Sequence, residues 1–205
     1  MLDLEGKKVL VTGSTRGIGK TIAESLYDLG ATVFINGTEE EKCYKTAKKL
    51  GNRAFSAYCD ISEKTCAETL YSITKEIDIL ILNASVQYRK EWNKITLDEF
   101  QKQININLRA SFLLIQKYAP FMQKNCFGRI ITIGSVQEAK PHPDMLIYSA
   151  SKAAQTNIVK SLSLQLAKDG ITVNNIAPGV IYTDRNIEAL SDPEYAKVVD
   201  RTSVV

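Results

Sequence analysis

The sequence predicts a doubly wound α/β domain, in which helices cover both faces of a parallel β-sheet. Six short runs of aliphatic and β-branched residues alternate with longer stretches whose apolar residues recur at helical spacing. The runs are apolar almost throughout, as expected of parallel strands that are buried on both faces. A glycine-rich turn follows the first run, which is typical of sheets with the strand order 3-2-1-4-5-6.

The elements follow one another in regular order. Strands are predicted at the β-branched runs 8–12 (KVLVT), 32–36 (TVFIN), 54–58, 77–82 (IDILIL), 129–133 (RIITI) and 171–177 (ITVNNIA). Helices are predicted between them, at roughly 18–29, 39–50, 63–75, 97–123 and 149–168. The joints are short and polar, and there is no internal repeat or linker. We therefore interpret residues 1–205 as one three-layer αβα domain.

Composition narrows the classes of function. The net charge of +3 is small and the basic residues are scattered, which argues against a nucleic-acid partner. No apolar run reaches the length of a membrane span and no signal-peptide pattern opens the chain, so we expect no membrane partner. The chain has one histidine and no C-x-x-C pair, so we predict no metal site. We interpret Cys43, Cys59, Cys66 and Cys126 as reduced thiols of a cytoplasmic protein.

The glycine-rich turn TGSTRGIG (12–19) indicates a nucleotide site. Its glycines, Gly13, Gly17 and Gly19, permit a tight turn and a close approach of the backbone to a diphosphate. The positive end of the following helix favours the negative charge of that group. A turn that only permits close packing is the alternative, and the position of this turn in the first βαβ unit favours the nucleotide site.

Several motifs together resemble the typical short-chain dehydrogenase/reductase family, which has the Rossmann fold. They are TGSTRGIG (12–19), CDIS (59–62), LNAS (82–85), IN (106–107), GS (134–135), YSASK (148–152) and PGVIYT (178–183), in this order through essentially the whole chain. The resemblance implies an NAD(P)-dependent oxidoreductase. The cofactor-binding residues that it implies are Gly13, Ser14, Thr15, Arg16, Gly17, Ile18, Gly19, Asn36, Gly37, Thr38, Asp60, Ile61, Asn83, Ala84, Ser85, Tyr148, Lys152, Pro178, Gly179, Val180, Ile181 and Thr183.

The resemblance also distributes these residues over the cofactor. Asp60 and Ile61 would hold the adenine, 83–84 would line the nicotinamide ribose, and 178–183 would clasp the nicotinamide amide. Ser85 stands where the family usually has glycine, so the fit beside the ribose departs from the family pattern.

The second strand predicts which dinucleotide is preferred. An acidic residue at its end would bind the ribose 2′-hydroxyl of NAD and repel a 2′-phosphate. That position is Gly37, and the first carboxylate along the chain is Glu39. Arg16, within the glycine-rich turn, is placed to reach a 2′-phosphate. We therefore predict NADP(H) as the preferred cofactor, with NAD(H) as the alternative.

Three tyrosine–lysine pairs have the spacing that places both side chains on one helix face: Tyr44–Lys48, Tyr71–Lys75 and Tyr148–Lys152. Chance alone gives roughly one such pair, so spacing does not identify a catalytic pair. Ser135 lies at the end of the fifth predicted strand and thirteen residues before Tyr148, the separation that the family shows between its serine and tyrosine. We therefore predict that the third pair is catalytic.

The chemistry of carbonyl reduction needs these residue types. The carbonyl oxygen gains a proton as hydride reaches the carbon, and Tyr148 would supply that proton. The ammonium of Lys152 would favour the phenolate and, by the resemblance, hold the ribose hydroxyls. Ser135 would orient the substrate oxygen. Asn107 matches the family's asparagine that positions a water between the lysine and solvent.

The predicted substrate residues are Ser135, Gln137, Gln87 and Tyr148. Arg89, Lys90 and His142 lie in the same loops, and such polar groups would suit a small polar substrate. The sequences of these loops are similar to those of the gluconate 5-dehydrogenase branch, which would act on a keto-sugar acid. The 3-oxoacyl-carrier-protein reductase branch is the alternative, and its acidic partner would dock on basic residues such as Arg129.

The resemblance also bears on assembly and on completeness. The helices beginning near 97 and 149 carry apolar residues on more than one face, which predicts a homotetramer or a homodimer. Family members ordinarily continue past residue 200 with a helix and a last strand, so we expect the domain 1–205 to be C-terminally incomplete. An inactive nucleotide-binding or regulatory protein is the alternative from another functional class.

Overall fold

The computed structural model describes residues 3–183 and 191. They contain a six-stranded parallel sheet with the order β3-β2-β1-β4-β5-β6, which confirms the predicted topology. The strands are β1 (Lys8–Val11), β2 (Thr32–Ile35), β3 (Ala54–Ser56), β4 (Ile79–Leu82), β5 (Gly128–Ile133) and β6 (Ile171–Ile176). The order reverses at β1, which pairs with β2 on one side and with β4 on the other.

Helices cover both faces of this sheet. They are α1 (Gly17–Asp28), α2 (Glu40–Leu50), α3 (Cys66–Thr74), α4 (Leu97–Ile104), α5 (Ala110–Lys124) and α6 (Leu146–Leu166). Apolar residues of α1 and α2 pack on one face against Val9, Val33 and Ile35. Apolar residues of α3, α5 and α6 pack on the other face around Leu10 and Ile130. The strands are largely apolar because alternate side chains enter the two cores.

One long helix was predicted at 97–123, and this prediction is wrong in one detail. A π-helical turn, Asn105–Arg109, separates α4 from α5. The extra residue of a π turn rotates the side chains that follow it, and such turns are frequent at functional sites. Here the turn contains the buried Asn107. Helical spacing in the sequence persists across one extra residue, so the sequence could not reveal the turn.

The last described helix also begins earlier than predicted, at Leu146 instead of 149. Tyr148 therefore lies in the first turn of α6, and Lys152 lies one turn further along the same helix. None of the helices among the described residues is long and apolar enough to cross a membrane.

Candidate active site

A cavity of about 480 Å³ lies at the carboxyl ends of β1, β2, β4 and β5. Parallel sheets of this order bind ligands at that edge, because the strand order reverses there and leaves a crevice. Most of the residues predicted to contact cofactor or substrate line this cavity: 13, 15–19, 36–38, 60, 61, 83–85, 87, 135, 137, 148, 178–181 and 183. Three predicted residues, Ser14, Asn107 and Lys152, are buried beside it and are not part of the lining.

The glycine-rich turn forms one end of the cavity, where the sequence predicts the diphosphate of the cofactor. Arg16 is the N-cap of α1, and the first turn of α1 contains no acidic residue. A side chain at Gly19 would collide with the Asn83 amide and the Gly13 carbonyl, so the turn is closed as tightly as glycine permits. Free N–H groups at a helix N-terminus without a competing carboxylate fit an anionic diphosphate.

The turn is fixed to the neighbouring strand by the side chain of Thr12. The Thr12 hydroxyl accepts the N–H groups of Asn83 (3.0 Å) and Ala84 (3.1 Å). It donates to the carbonyl of Ile81 (3.2 Å). In return, the Asn83 amide nitrogen donates to the carbonyls of Thr12 (2.9 Å) and Gly13 (3.0 Å). The Asn83 amide therefore holds the backbone in place, while its residue also lines the cavity.

A second set of bonds fixes the turn from the side of β2. The Asn36 side chain accepts the Gly13 N–H (3.3 Å) and donates to the carbonyls of Ala57 (2.9 Å) and Cys59 (3.1 Å). The Ser14 hydroxyl accepts the Asn36 N–H (3.0 Å) and donates to the Val11 carbonyl (2.7 Å). Ser14 is fully buried by these contacts. The structure thus places Ser14 beneath the turn, where it supports the backbone.

Ser135 and Tyr148 face the same cavity from two elements, the end of β5 and the first turn of α6. The Ser135 hydroxyl accepts the Gln137 N–H at 3.2 Å. Lys152 lies behind Tyr148, with 1% of its surface exposed and its Nζ 5.9 Å from the centre of the tyrosine ring. The ammonium donates to the carbonyl of Ile133 at 2.6 Å, so the lysine is tied to the strand that carries Ser135.

The other two tyrosine–lysine pairs lie elsewhere. Tyr44 is 58% exposed on α2, with the Lys48 ammonium 6.0 Å from its ring centre. Tyr71 packs against the ring of Tyr118 at 5.9 Å, and it is Lys117 whose ammonium lies over it at 4.9 Å. Neither tyrosine lines the cavity.

A buried polar network connects Lys152 with the π turn, and it was not among the predictions from the sequence. The Lys152 ammonium donates to the Gln155 amide oxygen (3.3 Å), and the Gln155 amide donates to the Ser111 hydroxyl (2.8 Å). Ser111 in turn donates to the carbonyl of Asn107 at 3.4 Å. Gln155 and Ser111 lie three and four residues after Lys152 and Asn107, the spacing of one helix face. That spacing is the signal that could have found them.

The side chain of Asn107 joins three elements. Its amide oxygen accepts the Val86 N–H (2.9 Å), and its amide nitrogen donates to the Val86 carbonyl (2.9 Å). The same nitrogen donates to the Ser151 hydroxyl at 3.0 Å. Asn107 therefore fixes the loop after β4 to α6 just behind the cavity, while its predicted water-positioning role stays a prediction.

The polar residues predicted at the substrate mouth have different surroundings. Gln87 and Gln137 line the cavity, but the Gln137 amide oxygen already accepts the Ser149 hydroxyl (2.9 Å) and the His142 N–H (3.3 Å). Arg89, Lys90 and His142 do not line the cavity. They join the two loops of the mouth. Arg89 contacts Asp144 at 3.5 Å and His142 at 3.5 Å. Lys90 forms a 2.5 Å ion pair with Glu99.

One family model and many known proteins match this chain. The family model described as short chain dehydrogenase matches residues 7–194. The 3-oxoacyl-[acyl-carrier-protein] reductase FabG of Rickettsia conorii is 36% identical over 201 residues, which cover 98% of this chain and 83% of that protein.

Two solved structures combine a close fold match with clear sequence identity. A 3-oxoacyl (acyl-carrier-protein) reductase from Agrobacterium tumefaciens with NADP bound has a TM-score of 0.90 and 33% identity, covering 98% of this chain and 81% of that one. A gluconate 5-dehydrogenase from Burkholderia cenocepacia, in complex with NADP and tartrate, has a TM-score of 0.88 and 31% identity, covering 96% and 80%.

The buried thiols give a test of this geometry. Burial raises the pKa of Cys43 to about 11 and the pKa of Cys59, on the cavity lining, to about 12. Burial also raises the pKa of the Cys66 thiol, whereas Cys126 is exposed. Because thiolates are the reactive form, we expect one rapidly reacting thiol at pH 8 with a disulfide reagent, and four in denaturant. Cys126→Ser should remove the rapid reaction, and a second equally rapid thiol would contradict the structure.

The same thiols set a dependence of stability on pH. A thiol whose pKa is higher in the folded than in the unfolded chain (about 8.5) stabilises the fold below the unfolded value. That contribution is lost as the pH rises towards the folded values of about 11 and 12. We therefore expect the denaturant midpoint to fall between pH 9 and 11, and to fall less in the Cys43→Ala variant.

Proposed function

This chain belongs to the short-chain dehydrogenase family, and we propose that it transfers hydride between NADP(H) and a ketone or secondary alcohol. One observation carries the proposal: Ser135 and Tyr148 line the same cavity as the glycine-rich turn, with Lys152 buried directly behind the tyrosine. The turn proposed to bind the nucleotide and the tyrosine proposed as the proton donor thus lie at the same edge of the sheet. A cytoplasmic location stays a prediction of the sequence.

When bound, the nicotinamide would supply the hydride to the carbonyl carbon or accept it from the alcohol. The residues of the chain would bind the oxygen of the substrate and exchange a proton with it. The Ser135 hydroxyl would donate to this oxygen and fix its position, while the Tyr148 phenol would transfer the proton to it as negative charge develops. The Lys152 ammonium would stabilise the phenolate that remains. In the oxidative direction the phenolate would take the proton from the alcohol.

The residues around the adenosine end support NADP. Gly37 and Thr38 line the cavity where an acidic residue would select NAD. Glu39, the first carboxylate, forms a 2.7 Å ion pair with Lys42. Arg16 lines the cavity, and its guanidinium can pair bidentately with a phosphate. The NADP-bound relatives from Agrobacterium and Burkholderia support the same preference.

We propose a small polar substrate, such as a keto-sugar acid. Among the described residues, the Gln87 side chain lines the cavity without a hydrogen-bond partner, so it can bind a hydroxyl or carboxylate. Ser135 and Tyr148 would bind the reacting oxygen, while Gln137 would shape the mouth. The likeness to gluconate 5-dehydrogenase supports this class.

A 3-oxoacyl thioester is the second candidate, and the two reductase relatives support it equally. Arg129, the basic residue predicted to contact a carrier protein, forms its contacts within its own chain. The Arg129 guanidinium donates to the carbonyls of Gly128 (2.8 Å) and Gly170 (3.2 Å) and lies 4.4 Å over the ring of Phe127. Asp169 adds a negative charge next to Lys168 in the chain, and its carboxylate accepts the Gln123 amide at 2.6 Å. These contacts favour the small polar substrate, and NADPH oxidation with keto-sugar acids and acyl thioesters would decide between the two.

Self-association is the proposed state of the active protein. Phe112 on α5 is 47% exposed and Leu164 on α6 is 84% exposed, and Phe100 on α4 is exposed as well. Large apolar side chains that are exposed on these helices would be covered if the helices met a second copy of the chain. We propose that these helices pair between copies in a homotetramer or a homodimer.

We expect Tyr148→Phe to abolish turnover and to leave NADPH affinity within about threefold, because it removes the proton donor and little surface. Lys152→Ala should weaken both turnover and binding. Steady-state rates and fluorescence titration measure these effects, and Tyr44→Phe is the matched control on α2. Normal turnover of Tyr148→Phe would refute the proposed mechanism. Tight NADPH binding without turnover of any substrate in wild-type protein would support the inactive nucleotide-binding alternative.

We expect Arg16→Ala to weaken NADPH binding about 10-fold to 100-fold and NADH binding much less, because one charge-assisted pair contributes about 1.5–3 kcal/mol. Lys20→Ala is the matched control, since Lys20 pairs with Glu24 on the same helix at 2.6 Å. Equal losses for both dinucleotides, or tighter binding of NADH by wild-type protein, would contradict the preference for NADP.

We expect sedimentation at micromolar concentration to give a dimer or tetramer, and Phe112→Glu to shift it towards the monomer with loss of activity. Tyr44→Glu places the same charge on an exposed aromatic position of α2 and should leave the assembly unchanged. An active wild-type monomer would contradict the proposed assembly.

A further inference from the structure

Ser135 is held by two hydrogen bonds of a capping box. It is the N-cap of a 3-10 turn, Val136–Glu138, and its hydroxyl accepts the Gln137 N–H (3.2 Å). The Glu138 carboxylate accepts the Ser135 N–H in return (3.4 Å). The reciprocal bonds of such a box fix both the backbone and the side-chain rotamer of the capping residue. Because the hydroxyl oxygen already accepts one bond, its own proton remains to be donated into the cavity.

Glu138 is itself fixed by residues from two further elements. Its Oε2 accepts the hydroxyl of Thr156 on α6 at 2.8 Å. The amide nitrogen of Asn175, on β6, donates to both carboxylate oxygens at 3.1 Å. The amide oxygen of Asn175 accepts the hydroxyl of the buried Thr132 on β5 at 2.6 Å. A side chain at Gly134 would collide with Glu138 and Asn175, so this cluster packs directly against the backbone before Ser135.

The cluster connects Ser135 with the helix that carries the other catalytic groups. Thr156 lies one helical turn after Lys152 and two turns after Tyr148 on α6. The spacing between the Ser135 hydroxyl and the Tyr148 phenol thus depends on a carboxylate that bonds to both elements. The Ser135 hydroxyl and the Tyr148 phenol do not themselves form a hydrogen bond with Glu138.

We propose that Glu138 is a positioning residue, which orients the Ser135 hydroxyl towards the substrate oxygen by closing this capping box against α6 and β6. The inference rests on the proposed function, because it concerns how one of the proposed catalytic groups is held. Glu138 acts through Ser135 and does not contact the substrate. Misplacing a catalytic group by about 1 Å costs about 100-fold in rate, so loss of this carboxylate should be visible in turnover.

A double-mutant cycle tests the proposal. Glu138→Ala in the wild-type background should lower kcat about 10-fold to 100-fold, with NADPH affinity within about twofold. The same substitution in the Ser135→Ala background should lower the remaining kcat less than about twofold, because there is no hydroxyl left to orient. Glu138→Gln keeps one acceptor oxygen and should restore most of the rate. Glu41→Ala removes a carboxylate that is 77% exposed on α2, and it is the control.

The kcat values of the cycle decide whether Glu138 positions Ser135. An unchanged kcat in Glu138→Ala, or an equal loss in both backgrounds, would overturn the proposal and indicate a purely structural cluster. Rates are normalised to the NADPH sites counted by titration, so a partly unfolded variant is not mistaken for a slow one. If Glu138→Ala does not fold, Asn175→Ala enters the same cycle with the same expectations.

The proposed function can fail separately. If wild-type protein turns over no carbonyl substrate, crystal structures of the wild type and of Glu138→Ala give the Ser135 rotamer directly. A different rotamer in the variant would support the positioning role of Glu138 by itself. The same rotamer in both would overturn it.

Discussion

The hydroxyl of Thr12 forms the contact on which the candidate site depends. β1 is the strand at which the order of the sheet reverses, and Thr12 follows its last residue. The Thr12 side chain bonds to three backbone groups at the end of β4, and Asn83 returns two bonds to the glycine-rich turn. Two loops that are distant in sequence are thereby held as one rigid wall. A dinucleotide that spanned the crevice would need this wall, because Gly13 of the turn and Asn83 after β4 would hold different parts of it.

The buried ammonium of Lys152 imposes the second constraint. A buried charge is costly unless hydrogen bonds replace the water it has lost. The Ile133 carbonyl and the Gln155 amide supply such bonds, and Ser111 satisfies the amide in turn. This requirement explains polar residues in an otherwise apolar contact between α5 and α6. It also couples the π turn to α6, which carries the proposed catalytic tyrosine and lysine, since the chain of bonds ends on the carbonyl of Asn107.

The sequence predicted the fold because the strands are largely apolar and the helices have a clear period, so local pattern and tertiary burial agree. The motif positions likewise predicted the cavity lining, because the carboxyl ends of parallel strands converge. The hydrogen-bond networks of the side chains could not be predicted from these patterns. Ser14 looks like an ordinary polar residue of the turn, and its role depends on the Val11 and Asn36 backbone groups that only the folded chain brings near. Gln155 shares a helix face with Lys152, but its bond to the Ser111 side chain on another helix is visible only in the folded chain. The π turn escaped for a related reason, since one additional residue leaves the apolar spacing nearly unchanged.

Backbone groups form one end of the cavity, and loop side chains form the other. This difference explains why the relatives indicate the reaction class better than the substrate. The nucleotide end is made largely of backbone held by Thr12 and Asn36, so its shape survives many substitutions elsewhere. The substrate mouth is made of side chains in two loops, joined by Arg89, Asp144 and His142. Loops of this kind change chemistry while the scaffold persists. A shared scaffold therefore defines the reaction class, whereas the substrate would depend on the few side chains, Gln87 among them, that line the cavity from these loops.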